Sequence, residues 1–248
     1  MTTQHPTHSL AAPSVKSPPT SFLVWFGLVV YLGLVKLVVE NVFPGAFADP
    51  AQAGPFAWPA LAVFSGLGLA GVWLSRRTGF PEAWDARLGP ARQVLLPVLA
   101  GVALGGVIMA TDLLTGFTAI QKAARGIGQQ WTGYAPMFLI FSAASVILEV
   151  IYRLVLIPLG VWLVSGLLLK GRGQSATFWA LAALTSALEP FMMTPDLQVL
   201  PGALWAWMAA LLFATNLTQA AFFRRYGFLA AILVRVGFYL VWHVVYIH

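Results

Sequence analysis

Charged side chains are scarce in this sequence, and cysteine is absent from it. Only 9% of the 248 residues are Asp, Glu, Lys or Arg, whereas about 25% is usual in soluble proteins. Because so few charges cannot cover a water-facing surface, the composition excludes a soluble globular domain. Without cysteine there is no disulfide, thiolate metal ligand or cysteine nucleophile, so any chemistry falls to carboxylates, histidine, arginine and hydroxyls.

Hydrophobic residues are abundant instead, at 59% of the chain, and they form seven runs long enough to cross a ~30 Å hydrocarbon core. We therefore predict an all-α fold, a polytopic transmembrane helical bundle of about seven spans that contacts the lipid bilayer of the cell membrane. The runs are residues 21–42, 56–74, 93–114, 135–169, 177–193, 201–223 and 227–247. The fourth run exceeds one perpendicular span, and a kink or break at Pro158 would explain it, so the path of residues 135–169 stays open.

The distribution of Lys and Arg predicts the orientation, because cytoplasmic loops are enriched in both. Residues 1–20 are rich in Pro, Ser, Thr and His and are expected to form a disordered cytoplasmic tail. With that tail inside, the outer loops hold Lys122 and Arg125 alone, and the inner segments hold nine basic residues. These nine are Lys16, Arg76, Arg77, Arg87, Arg92, Lys170, Arg172, Arg224 and Arg225.

The net charge of +6 does not indicate a nucleic-acid partner. Its basic residues are scattered in ones and twos between apolar runs, whereas nucleic-acid-binding modules cluster them on one face. No nucleotide-binding motif occurs, so we expect neither a nucleic acid nor a nucleotide as partner.

Some ionisable residues fall inside the predicted spans, where a charge costs at least a few kcal/mol and needs a partner or a function. They are Lys36, Glu40, Asp112, Glu149, Arg153, Glu189, Arg235 and His243. Lys36 and Glu40, four residues apart near a helix end, are interpreted as an intrahelical pair or as snorkelling ends. Asp112 receives the same interpretation.

Glu149 and Arg153 have some fifteen apolar residues on either side, so neither reaches a head group easily. One interpretation is an i,i+4 salt bridge that neutralises both charges within one helix. The other is a carboxylate that activates water, with the arginine fixing its rotamer and keeping it ionised.

Arg235, Tyr239 and His243 recur at i, i+4 and i+8, which aligns them along one stripe of the last helix. A polar stripe on an apolar helix is expected to face protein. If Glu149 already pairs with Arg153, Glu189 is the simplest partner for Arg235, and Pro190 after it favours a bent backbone there.

Three stretches resemble the CAAX-processing and bacteriocin-processing (CPBP) intramembrane proteases. They are EVIYRLVLIPLG from Glu149, FWALAA from Phe178 and FRRYGFLAAIL from Phe223, and the resemblance covers residues 135–243. It implies N-terminal transmembrane helices at 21–115 followed by a protease-like core at 116–248. The family motif is Glu-Glu-x-x-x-Arg, Phe-x-x-x-His and His-x-x-x-Asn or Asp. The resemblance implies zinc-assisted or glutamate-driven hydrolysis of a membrane-embedded peptide or protein partner.

Residue by residue, this chain keeps only Glu149 and Arg153 of that motif. The first glutamate, the first histidine, the second histidine and the Asn or Asp are replaced by Leu148, Met193, Arg235 and Tyr239. Because arginine cannot deprotonate and repels a cation, we predict no zinc or other cofactor.

The resemblance with these departures predicts a divergent membrane protein whose peptidase activity is impaired or lost. One alternative is an active endopeptidase with a rearranged set of Glu149, Glu189 and His243. A small transporter or channel is another alternative. The candidate catalytic residues are Glu149, Arg153, Glu189, Arg235, Tyr239 and His243.

The predicted depths of two candidates disagree. In a straight helix ending at Lys170, Glu149 lies about 30 Å from the cytoplasmic end, whereas Arg235 lies only about 15 Å from Arg225. Either the long helix is tilted, or its last part runs along the interface, or the resemblance misplaces one element.

Overall fold

The computed structural model describes residues 20–46, 53–125, 133–192 and 198–246, and throughout these ranges the regular structure is helical. The predicted tail lies outside them except for Thr20, and Met193 also lies outside. In chain order the helices are α1 (Thr20–Val42), α2 (Trp58–Arg77), α3 (Ala91–Thr115), α4 (Phe117–Arg125), α5 (Tyr134–Leu168), α6 (Gln174–Met192), α7 (Gly202–Tyr226) and α8 (Phe228–Tyr246).

Six of these helices are long and apolar enough to cross a membrane, namely α1, α2, α3, α5, α7 and α8. The prediction of an all-helical, multi-pass membrane protein is thereby confirmed for the described residues. Helix α6, which matches the predicted run 177–193, is outside this set of six. It contains both Glu189 and Pro190, which lower its apolar character.

Asp112 and Gly116 form the junction between α3 and α4. Gly116 adopts a left-handed conformation (φ 63°) that ends α3, and its N–H donates to the carbonyl of Asp112 (2.7 Å). The Asp112 carboxylate accepts the N–H of Thr118 (2.8 Å) in the first turn of α4. Asp112 therefore caps the next helix, a role different from the expected snorkelling end.

Of the two expectations for Pro158, a kink or a division of the run, the division is wrong, because the long helix α5 is continuous across Pro158. Two stretches are wound as π-helix, Val150–Val155 and Trp162–Leu168, and Pro158 lies in the α-helical turns between them. Leu154 packs on Gly71 of α2, where an added Cβ would approach the Leu154 carbonyl to 2.5 Å. From this contact to its C-terminal end, α2 continues for roughly 9 Å, whereas α5 continues for roughly 21 Å. About half of the excess length of α5 therefore lies at this end, and the other half lies before the contact, where α5 is also the longer helix.

Helices α5 and α8 form the centre of the bundle. Their most apolar windows are 67% and 61% buried inside the protein, against 28–39% for the other spanning helices. Helices α3 and α8 approach closely through small residues: a Cβ on Gly101 would lie 2.0 Å from the Val234 carbonyl, and one on Gly237 would lie 2.4 Å from that of Val98. This contact joins the two predicted parts, 21–115 and 116–248.

Hydrogen bonds tie several helix ends together at one end of the bundle, called the basic end below. Ser21 of α1 donates its N–H to Glu82 in the α2–α3 loop (2.9 Å). The side-chain amide of Gln174, at the start of α6, donates to the carbonyl of Thr78. Arg224, near the end of α7, donates to a serine in the first turn of α6 (3.0 Å). Basic residues of three separate chain segments thus share one end of the molecule, namely Arg76 and Arg77 of α2, Arg172 before α6, and Arg224 and Arg225 of α7.

A buried ion cluster as the candidate functional site

Arg235 is the centre of the buried polar cluster. Its side chain, on α8, is 1% exposed and lies between carboxylates from two other helices. Nε donates to Glu149 Oε1 of α5 (2.7 Å), and Nη1 and Nη2 donate to the two oxygens of Glu189 on α6 (3.0 and 2.8 Å). The fork-to-fork geometry with Glu189 is the strong, bidentate form of an arginine–carboxylate pair.

The predicted pairing of Arg235 with Glu189 agrees with this geometry. The prediction had set Glu149 aside as a partner because Arg153 was expected to pair with it, and that step was incomplete. Arg235 also binds Glu149, at a shorter distance than Arg153 does: the Arg153 Nε to Glu149 Oε2 distance is 3.6 Å. The expected i,i+4 bridge is therefore an ion pair without a hydrogen bond. The wider π-helical winding that begins at Val150 changes the side-chain spacing that an α-helix would give.

Two amide residues of α7 complete the cluster, and the sequence reasoning missed both. Arg235 Nη2 donates to Asn216 Oδ1 and Gln219 Oε1 (both 3.0 Å). Arg153 Nη2 donates to the side chain and the carbonyl of Asn216 (2.6 and 2.7 Å), so Asn216 bridges the two arginines. The available signal was an i,i+3 pair of polar side chains within an apolar run, which a search restricted to ionisable residues passes over.

Tyr239 and His243, which lie on the predicted stripe, make different contacts. The Tyr239 hydroxyl accepts a hydrogen bond from Arg235 Nη1 (3.1 Å), which places Tyr239 in the cluster. The His243 ring instead stacks on Phe141, with centroids 4.1 Å apart, and meets the Tyr239 ring edge-on at 4.9 Å. Both carboxylates of the proposed rearranged set are held by Arg235, and His243 contacts the cluster through an aromatic ring.

The depth conflict between Glu149 and Arg235 disappears in the structure, since their side chains are in direct contact. The expected difference in depth came from counting residues from Lys170 for Glu149 and from Arg225 for Arg235. That count overestimated the difference because α5 extends well past the end of α2.

The chemistry of this donor set is that of a closed, neutral ion cluster. Two arginines and two glutamates sum to no formal charge, and all four side chains are buried. Among the described residues, no three His, Asp or Glu side chains gather as a metal-binding group. Leu148 packs against the apolar cluster that contains Phe238. Both carboxylates of the cluster are bound to a permanent cation, Arg235, through at least one oxygen.

Comparisons with known proteins add no family to this description. No protein-family model matches the chain, and no curated protein and no solved structure matches it either.

Proposed function

We propose that this chain is a multi-pass membrane protein with a CAAX-protease-like core, in which an ion cluster occupies the place of the peptidase site. It acts on a membrane-embedded peptide or protein partner by binding and not by the family's hydrolysis. The observation that carries the proposal is the position of Arg235, whose guanidinium engages both Glu149 and Glu189. A general base has to reach a water molecule, and a carboxylate fixed on a permanent cation is a weak one.

The proposal includes seven spans with the N-terminus in the cytoplasm. Helix α6 is the seventh: it lies between α5 and α7, its first turn is bonded to Arg224 at the basic end, and Glu189 in its last turns reaches the buried cluster. The basic end carries Arg76, Arg77, Arg224 and Arg225, the arrangement that cytoplasmic loops favour. Lys122 follows Gly116 at the far end of α3.

A peptidase assay in lipid bicelles tests the proposal. Wild-type protein is incubated with a membrane-spanning peptide library, and products are identified by mass spectrometry. We expect no more cleavage than in Glu149→Gln. Cleavage by the wild type that Glu149→Gln abolishes and Arg235→Ala leaves unchanged would overturn the proposal.

Metal analysis gives a readout independent of substrate choice. The variant Leu148→Glu, Met193→His, Arg235→His restores the family's ligand types, so it should take up zinc while the wild type does not. Its activity need not return, because the surrounding side chains have diverged too. Stoichiometric zinc on the wild type would contradict the proposal.

A second candidate, an endopeptidase that uses Glu149, is favoured by one observation. Glu149 Oε2 is buried and has no hydrogen-bond partner among the described residues, so one oxygen of this carboxylate can still accept a proton or a water. The cleavage assay separates the two candidates, since only this one requires a wild-type rate above that of Glu149→Gln.

A further inference from the structure

A cavity of about 510 Å³ opens at the basic end, apart from the buried ion cluster. It is lined by Phe22, Trp73, Arg76, Arg77, Phe80 and Glu82, which come from α1, the last turns of α2 and the loop that follows. Its volume is within the range of small-ligand sites, about 300–1,000 Å³. Two arginines and three aromatic rings in one cavity indicate a ligand that is anionic at one part and apolar at another.

Two arginines and one glutamate line the cavity, so its formal net charge is +1. Arg76 is paired with Glu82, with Nε 2.8 Å from Oε1, and its guanidinium lies over the Phe22 ring at 5.5 Å. Arg77 lies over the Trp73 ring at 4.5 Å and, within the described part of the chain, forms no ion pair. Arg77 therefore presents hydrogen-bond donors that an incoming anion can use.

The wall of the cavity continues to a third arginine. Phe80 packs on Phe178 and Phe223, with centroids 5.7 and 4.7 Å apart. Arg224 lies over the rings of Phe178 and Trp179, at 4.7 and 5.6 Å. Stacking on aromatic faces holds a guanidinium in place without neutralising it, so the positive potential extends beyond the cavity itself.

The position of the cavity indicates a lipid as the ligand. It lies at the last turn of α2, a helix apolar enough to span, where the head-group region meets the hydrocarbon. Trp73 is 45% exposed and Leu23, next to Phe22, is 70% exposed, so the rim faces the lipid phase. A ligand entering from that side brings acyl chains with its head group.

We infer that this cavity binds the anionic head group of a phospholipid. The phosphate accepts hydrogen bonds from Arg77 and Arg76, whose planar guanidinium matches phosphate oxygens in a bidentate manner. The glycerol and the first acyl segments pack on Trp73 and Phe22. Basic pockets between spanning helices are recurrent sites for anionic lipids. This inference does not depend on the proposed function, because it involves none of the residues of the buried cluster.

Native mass spectrometry of the detergent-solubilised protein tests the inference. The protein is titrated separately with phosphatidylglycerol and with phosphatidylcholine of the same chain length. We expect preferential retention of phosphatidylglycerol, reduced about fivefold by Arg77→Gln and further by adding Arg76→Gln. Arg77→Lys should weaken binding less than Arg77→Gln, because it keeps the positive charge. It should still bind more weakly than the wild type, because the bidentate guanidinium is lost.

Arg87→Gln is the matched control. It removes one positive charge from the loop after α2, but Arg87 is 82% exposed, paired with Asp85 and no part of the cavity. Equal losses in Arg87→Gln and Arg77→Gln would overturn the inference in favour of diffuse attraction. Equal retention of the two lipids would overturn it as well, and displacement of the lipid by millimolar inorganic phosphate would assign the cavity to a free anion.

Discussion

Replacing Arg235 by leucine should destabilise the protein more than replacing any other member of the buried ion cluster. Loss of this side chain leaves Glu149 and Glu189 with only Arg153, at 3.6 Å from Glu149, and so strands one buried negative charge. Removing one partner of a buried pair costs about 3–5 kcal/mol. Two hydrogen bonds to Glu189, at 3.0 and 2.8 Å, are lost at the same time.

The double substitution Arg235→Leu, Glu189→Leu restores neutrality, because Glu149 and Arg153 remain as one pair. Each single substitution should therefore cost about 3–5 kcal/mol, and the double substitution should cost no more than either single one. The coupling free energy between the two sites is then about 3 kcal/mol or more. Asp85 and Arg87, a surface pair at 2.9 Å in which Arg87 is 82% exposed, serve as the control cycle and should show a coupling of no more than about 1 kcal/mol.

Unfolding free energies measured by steric trapping in bicelles give all four values of each cycle. If the Arg235 and Glu189 substitutions are additive within about 0.5 kcal/mol, the two side chains do not stabilise one another. The charge-balance reasoning behind the proposed function would then be refuted.

Three further expectations concern other parts of the protein. Gly101→Ala should lower the melting temperature, because its Cβ would lie 2.0 Å from a backbone carbonyl of α8 and overpacking costs about 1–3 kcal/mol, whereas Gly106→Ala, with no atom within 4 Å, should not. A C-terminal alkaline phosphatase fusion should be active and a C-terminal fluorescent protein dark, and the reverse would contradict seven spans with a cytoplasmic N-terminus. Burial alone would raise the pKa of Glu82, but hydrogen bonds from Ser21 and the contact with Arg76 outweigh it and lower the pKa below 4.5. Glu82 thus stabilises the fold at pH values above about 4.5, and its contribution is lost as the pH falls through the lowered pKa. Glu82→Gln should therefore flatten the dependence of the melting temperature on pH below about 4.5.

The sequence predicted the helices well because lipid imposes a simple rule. Every backbone polar group in the hydrocarbon needs an internal partner, so apolar runs become helices with little ambiguity. The predicted runs 21–42 and 93–114 differ from Thr20–Val42 and Ala91–Thr115 by no more than two residues at either end. Such differences are the usual uncertainty of helix boundaries.

The site was predictable only in part, because its geometry depends on packing between helices. Charge alone identified Glu149, Glu189 and Arg235, since each is costly in lipid and needs a partner. It did not identify Asn216 and Gln219, because an uncharged amide is tolerated in an apolar run.

The winding of α5 was equally outside the reach of the sequence. Residues 150–155 form a π-helix without a proline or glycine among them that would mark it. Which arginine lies closest to Glu149 follows from that winding and from the contact between α5 and α8. The i,i+4 spacing therefore predicted the ion pair with Arg153 but not the shorter contact with Arg235.

The neutrality of the buried cluster has a consequence for a protein in an energised membrane. A transmembrane voltage acts on each elementary charge with about 2.3 kcal/mol per 100 mV for a full crossing. Two positive and two negative groups in mutual contact feel opposing forces that largely cancel. The buried cluster therefore carries no net gating charge, and its packing should be the same in a polarised and a depolarised membrane.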